Sequence, residues 1–436
     1  MKLETVYKNP SMKKIYTTII ASLLLVTNYA TDIYVNNSGQ AGTYTTIAAA
    51  ISAASSGDRI FISPYGVYTE NLTVNKSLTF ASAVSGTNFN VLGSFSVTAD
   101  AGMDVRIIGG IFSSTLNATT NTATQNNMTD IYVIDSKFSN INLNDNFVRA
   151  HILFCSDLGS VSIQNGDVIG CSINSALTVY DGPNSVTGDT LKVIGNEIYR
   201  SLGYHSDDNY FVIANNSIGT DGEDDFSNIT HSGGVNFYAN SYNSSVNNLF
   251  LNNFVISRKT GNTDATVWCS NPNSNYSNIL IKNNVVINQV AVTNSNTGYY
   301  ASIRNLSTTA SNYPSTFYNF CVGYPHETNQ TENSTYVNIQ SSSSGAYDFY
   351  NDLNNIILNK GRCSNSNHCI NKGIPSIDHY DIDMTINDRG TYGGPYSIDN
   401  YINTTNGKAR IYDLDIPFEI WSGQTPTVKA KGAHTK

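Results

Sequence analysis

The sequence predicts an all-β fold in which one chain winds a long coil of short parallel strands, and three observations predict it. Short extended runs follow one another with no room for crossover helices. Two-residue Asn-Gly or Asp-Gly hairpin turns are absent where the first of those runs meet, which favours winding over hairpins. An apolar phrase broken by Asn or a small residue then recurs along the chain, as it does in repeat architectures.

Taken in order, residues 1–30 read as a targeting segment. Lys13 and Lys14 precede an apolar run over residues 15–26, and Ala30 offers a small residue for cleavage before Thr31. Met12 is an alternative start. A retained membrane anchor is the competing reading, but the run falls short of the ~20 residues a span needs and carries Tyr16, Thr17 and Thr18. The expectation is a secreted or cell-surface protein, exported through a signal peptide and without a membrane span. Residues 31–401 then form the solenoid. Residues 402–436 form a C-terminal cap or tail, too short for an independent domain.

Residues 42–80 organise the rest. Ile47, Ala50, Ile51 and Ala54 share one face of a short helix, which Ser55-Ser56-Gly57-Asp58 ends. Arg59-Ile60-Phe61-Ile62 alternates as a strand, Pro64-Tyr65-Gly66 turns, and Tyr68, Leu72 and Val74 begin an extended run that Lys76-Ser77 breaks before Leu78-Thr79-Phe80. This order, including Glu70-Asn71-Leu72 and Lys76-Ser77-Leu78, resembles the first coil of the parallel β-helix proteins of the pectin lyase-like superfamily. The resemblance implies a right-handed parallel β-helix whose short N-terminal helix caps the open end. It implies no single activity, because that superfamily includes lyases, hydrolases, esterases and adhesins.

From residue 131 the recurring phrase takes over, as in Val168-Ile169-Gly170-Cys171-Ser172-Ile173, Val193-Ile194-Gly195-Asn196-Glu197-Ile198 and Leu280-Ile281-Lys282-Asn283-Asn284-Val285. Its Asn belongs at a corner between two sheets, where the backbone leaves the strand conformation. Asn tolerates the left-handed region there, and its amide can bond the coils above and below. After residue 290 the copies become irregular, and polar insertions read as projecting loops. Residues 373–401 close the fold, and their Asp-rich turn and Gly-Gly-Pro resemble the terminal motif of exported β-helix proteins of the Bacteroidetes. Asp381 and Asp383, with Thr385 and Asn387, alternate as calcium-binding oxygens would, so calcium is the one cofactor the pattern admits. The glycine and terminal glutamate of a helix-loop-helix calcium site are missing, which favours a plain Asx-turn cap.

Composition narrows the partners. Charged residues make up 13%, and the net charge of -9 argues against nucleic acid, whose phosphates need a basic surface. A monomer is expected. Of the six cysteines, Cys363 and Cys369 flank a polar loop and are the first pair expected to form a disulfide, with three-ligand metal binding beside His368 the weaker alternative. Cys155 and Cys171 read as small fillers of the interior.

Titratable residues are densest between His205 and Lys259. Asp207, Asp208, Asp224, Asp225 and His231 are the candidate catalytic groups, as paired carboxylates for hydrolysis or as a calcium-and-base arrangement for lyase chemistry. Tyr204, Tyr210, Tyr238, Arg258, Lys259 and Trp268 are the candidate sugar contacts. Solvated turns account for the same acidic residues equally well, and neither the arginine-proline motif of pectate lyases nor a polygalacturonase-like Gly-His-Gly is present. The sequence therefore favours a non-catalytic β-helix that binds polysaccharide or mediates adhesion. A polysaccharide lyase or glycoside hydrolase working in a groove along the helix is the alternative. Ice or mineral binding would need regular Thr ladders, which the irregular repeats lack.

Overall fold

Parallel pairing joins strands that are a full lap apart in sequence. In the computed structural model, Asp32–Val35 pairs with Arg59–Ile62, which pairs with Leu78–Ser82, and the series continues through a 13-stranded sheet to Asn329–Glu332. A second 13-stranded sheet and a third of seven strands run beside it, and all three are wholly parallel. The chain is a right-handed parallel β-helix. The structure describes residues 30–180, 190–205, 210–220, 233–238, 248–257, 265–288, 301–307, 309–322, 324–326, 329–332, 335–337, 361–362, 368–381, 383–401, 409–415 and 429–434.

The first lap shows why its sequence takes the order it does. The helix Ile47–Ala53 buries Ile47, Ala50 and Ile51 against the first rungs, and the Thr46 hydroxyl accepts the Ala49 N–H. Glu70, from the next lap, accepts the N–H groups of Ile47 and Ala48 at 2.9 Å each, while Lys76 Nζ donates to the carbonyls of Ile51 and Ala54. Both charges have the sign that the helix dipole favours at its two ends. The Asp58 carboxylate takes the N–H groups of Thr31 and Ser55, tying the helix exit to the first strand.

Inside, like stacks on like. One row of the first sheet runs Phe80, Ile107, Val133, Ile152, Val168, Val193, Ile213, Phe250 and Ile281, each in register with the next and each fully buried. Every such side chain contributes roughly 1.5–3 kcal/mol of burial.

Two consecutive residues make the corner at which each of these laps leaves the first sheet, from the lap of Cys171 onward for the third sheet. The first takes a positive φ: Asp135, Phe154, Gly170, Gly195, Asn215, Asn252, Asn283 and Tyr318. The second turns inward and joins a column that climbs the helix axis through Ser136, Cys155, Cys171, Asn196, Asn216, Asn253, Asn284 and Asn319, all buried. Asn216 donates from its backbone N–H and its Nδ2 to Asn253 Oδ1 (3.0 and 2.9 Å), and Asn253 does the same to Asn284 Oδ1 (2.8 and 3.1 Å). Each Nδ2 also donates to a carbonyl of the preceding lap, Val193 for Asn216 and Ile213 for Asn253. Cys155 and Cys171 belong to this column, where their thiols donate to backbone carbonyls. They are free, as are the buried Cys269 and Cys321.

The positive-φ residues meet a different partner. Residues 373–401 do not simply cap the far end: they fold back as a strap along the flank. Asn215 Nδ2 donates to the carbonyls of Thr391 and Gly393, Asn252 Nδ2 to Asn387 Oδ1 and the Asp388 carbonyl, and Asn283 Oδ1 accepts the Ile374 N–H. Tyr401 then covers an apolar stripe on the outside of the first sheet, made of Ile134, Leu153, Phe154, Ile169, Ile194, Ala214 and Leu251. Beyond the strap, Ala409–Asp415 and Lys429–His434 pair as an antiparallel hairpin.

The ladder makes a quantitative expectation. Asn253→Ala strips an acceptor from two buried donors of Asn216 and should cost about 3 kcal/mol or more in urea unfolding. Asn142→Ala, on the exposed outer row of the second sheet, should stay within about 0.5 kcal/mol.

Candidate functional site

Strand alternation decides which side chains leave the interior, and on the second sheet it builds a groove. In Leu177–Val179, Ser201–Tyr204, Gly234–Phe237, Ala265–Cys269 and Ala301–Asn305, the outward row in register is Thr178, Gly203, Asn236, Trp268 and Arg304. Two residues further along each strand, Tyr180, His205 and Tyr238 face the same side, and their N–H groups extend the ladder to Ile163, Val179 and Tyr204 carbonyls. Tyr180 stacks on His205 with ring centroids 5.9 Å apart, and His205 meets Tyr238 at 5.7 Å. Burial holds the His205 imidazole below its ordinary pKa, so this ring is neutral at pH 7.

Beside the aromatic column lies a cleft of about 430 Å³, lined among others by Thr178, Arg200, Gly203, His205, Asn236 and Trp268. Gly203 opens its floor: a Cβ there would come within 3.0 Å of His205 Nε2. Three successive members of the outward row carry a polar atom that is enclosed yet has no hydrogen-bond partner among the described residues: Asn236 Oδ1, Trp268 Nε1 and Arg304 Nε. Aromatic faces beside a file of waiting donors and an acceptor suit a ligand rich in hydroxyl groups, which can stack, donate and accept.

Of the residues expected from the sequence, Trp268 lines this cleft, and Tyr238 stands in the aromatic column beside it through its contact with His205. Tyr204 is not a sugar contact: alternation turns it inward, where it is wholly buried against Phe211 and Phe237. Tyr210 lies on the first sheet, on another face of the molecule. Asp207, Asp208, Asp224, Asp225, His231, Arg258 and Lys259 lie outside the described residues, as does Cys363. Cys369 is disulfide-bonded. Sequence reasoning passed over Tyr180, Asn236 and Arg304. Their signal was the fixed offset from the inward residues Val179, Val235 and Ile303.

Asp381 and Asp383 serve the strap. Asp381 accepts the N–H groups of Asp388 and Gly394, and Asp383 accepts the N–H and hydroxyl of Thr385, an Asx turn. Among the described residues no group of three or more His, Cys, Asp or Glu is arranged to hold a metal. None of their helices is long and apolar enough to cross a membrane. No protein-family model matches the chain, and neither a curated protein nor a solved structure matches it.

Burial pushes the Asp381 carboxyl up to about 6, against the pull of its backbone donors. A carboxyl raised on folding favours the native state most fully below its unfolded pKa, and that contribution is lost as pH rises through about 6. The chain should therefore lose thermal stability between about pH 4 and pH 6.5 relative to Asp381→Asn, whose melting profile over that window should be flatter.

Proposed function

We propose that the chain is an exported β-helix protein, of the pectin lyase-like kind found among the Bacteroidetes, that binds polysaccharide along the groove of its second sheet. One observation carries this reading: the unpaired atoms of Asn236, Trp268 and Arg304 stand in line beside the Tyr180–His205–Tyr238 column. Buried polar atoms are normally satisfied, so three unpaired ones in one outward row beside a cleft support a polar ligand contacting that row. Laps are about 4.8 Å apart, so a sugar chain lying across the strands meets a new outward side chain at each lap. The segment over residues 1–30 supports secretion or surface display.

Polysaccharide lyase or glycoside hydrolase activity is the second reading. What favours it is adjacency in sequence: Asp207 and Asp208 closely follow His205, and His231 closely precedes Gly233, and both His205 and Gly233 line the cleft.

Affinity electrophoresis and calorimetry against uronate-containing and neutral polysaccharides test the proposal, with unsaturated-product absorbance and reducing ends followed on the same samples. Trp268→Ala should weaken binding roughly tenfold, and Tyr238→Ala by less. Binding that survives Trp268→Ala, or absence of binding to every glycan, would end the groove reading. Turnover abolished by Asp208→Ala or Asp225→Ala would shift the conclusion to the enzyme.

A further inference from the structure

The first sheet has an open edge at Asp32–Val35, which pairs along its length with Arg59–Ile62 and on its outer side meets only Tyr44 among the described residues. One residue anchors the start of that strand. Thr31 donates its N–H to Asp58 Oδ1 at 2.7 Å, and its carbonyl accepts the Arg59 N–H at 2.9 Å. Asp58 also closes the helix exit: its other carboxylate oxygen takes the Ser55 N–H at 2.8 Å, and its backbone carbonyl takes the Thr79 N–H of the next lap.

The Asp58 carboxylate is buried, and among the described residues no cation is paired with it. Charges on the neighbouring elements are committed elsewhere, Arg59 to Asp32 at 2.6 Å and Lys76 to the carbonyls of Ile51 and Ala54. A buried carboxylate that faces only neutral N–H groups is costly to hold. The chain can supply a cation at that very atom. Ala30 ends the targeting segment, Ala30 and Thr31 are both exposed, and the Thr31 nitrogen is the one that cleavage frees. Hydrolysis of this peptide bond takes up one water, leaving a carboxylate on Ala30 and an amine on Thr31 that is protonated at neutral pH.

We propose that removal of residues 1–30 is a maturation step for the fold: the new Thr31 ammonium pairs with the buried Asp58 carboxylate and fastens the open-edge strand to the helix exit. This rests on the export reading and gives the cut a structural use. The ammonium stands where the amide N–H stood, so the 2.7 Å contact becomes a charge-assisted one, about twice as strong. The charged groups on the elements packed around it are Asp58, the Asp32–Arg59 pair and Lys76. Pairing with a carboxylate raises the pKa of an amine. Its contribution to stability is therefore complete below the unfolded value of about 7.7–8.0 and is lost as pH rises through the raised one.

Two measurements test it. In the first, the full chain is secreted from a bacterial host and the N-terminus of the product is sequenced; it should begin at Thr31. A product cut elsewhere overturns the latch and leaves export standing, whereas a chain that keeps residues 1–30 overturns both. In the second, which does not depend on export, chains beginning at Thr31 and at Ala30 are released from a cleavable N-terminal fusion and compared by hydrogen exchange. Asp32–Val35 should exchange about tenfold more slowly in the chain beginning at Thr31 at about pH 6.5, and the two chains should converge by about pH 10. In the Asp58→Asn background, which keeps an oxygen acceptor but no charge, the two chains should exchange alike. Equal protection of both chains at about pH 6.5, or a difference that survives either Asp58→Asn or alkaline pH, overturns the proposal. Should Asp58→Asn fail to fold, the pH comparison on the unsubstituted chains decides.

Discussion

The column of buried amides at the corner between the first and third sheets is the constraint on which the rest depends. An amide in the dry interior is tolerable only if its donors and acceptor are all met. Here each Asn finds its partners only when the laps above and below are in register. That requirement pins the phase of every lap, and once the phase is set, the apolar rows on either side have no choice but to superimpose. A slip of one residue would bring a charged or polar outer row inside, so the ladder and the hydrophobic rows enforce one another.

The same corner explains the outside of the molecule. A positive φ at the first corner residue turns its side chain away from the interior while the next one turns in. Where both are Asn, as at Asn215-Asn216, Asn252-Asn253 and Asn283-Asn284, one amide serves the column and the other reaches the strap. In the earlier laps the outer position is Phe154, Gly170 or Gly195, and there the strap makes apolar contact through Tyr401. Chemistry along the flank thus changes from greasy to polar in step with the residue at one position.

Much of this was legible in the chain. The helix face of Ile47, Ala50, Ile51 and Ala54, the strand Arg59–Ile62 and the corner role of Asn are local patterns, and local patterns survive folding. What stayed hidden depends on register between distant segments. One Asn at each corner was expected to do both jobs, whereas the structure divides them between two neighbours. Glu70 and Lys76 stood in the sequence as motif letters, and only packing shows that they hold the two ends of the helix. Tyr204 could have been placed correctly from its spacing to Leu202, since residues two apart share a face. The Asp130–His151–Asp167 cluster could not, because unequal laps of 19 and 16 residues must first be aligned.

A rod built of laps that touch only their neighbours is a row of weak links, and such rows fray from whichever tip is less stable. The flank segment changes that behaviour, because it crosses several laps at once and bonds to Asn215, Asn252 and Asn283 while its aromatic end rests on Gly195 and Gly170. It acts as a splint. Peeling the distal rungs away one by one would mean tearing these lateral bonds together, so the middle of the spring resists pulling and nicking as a unit.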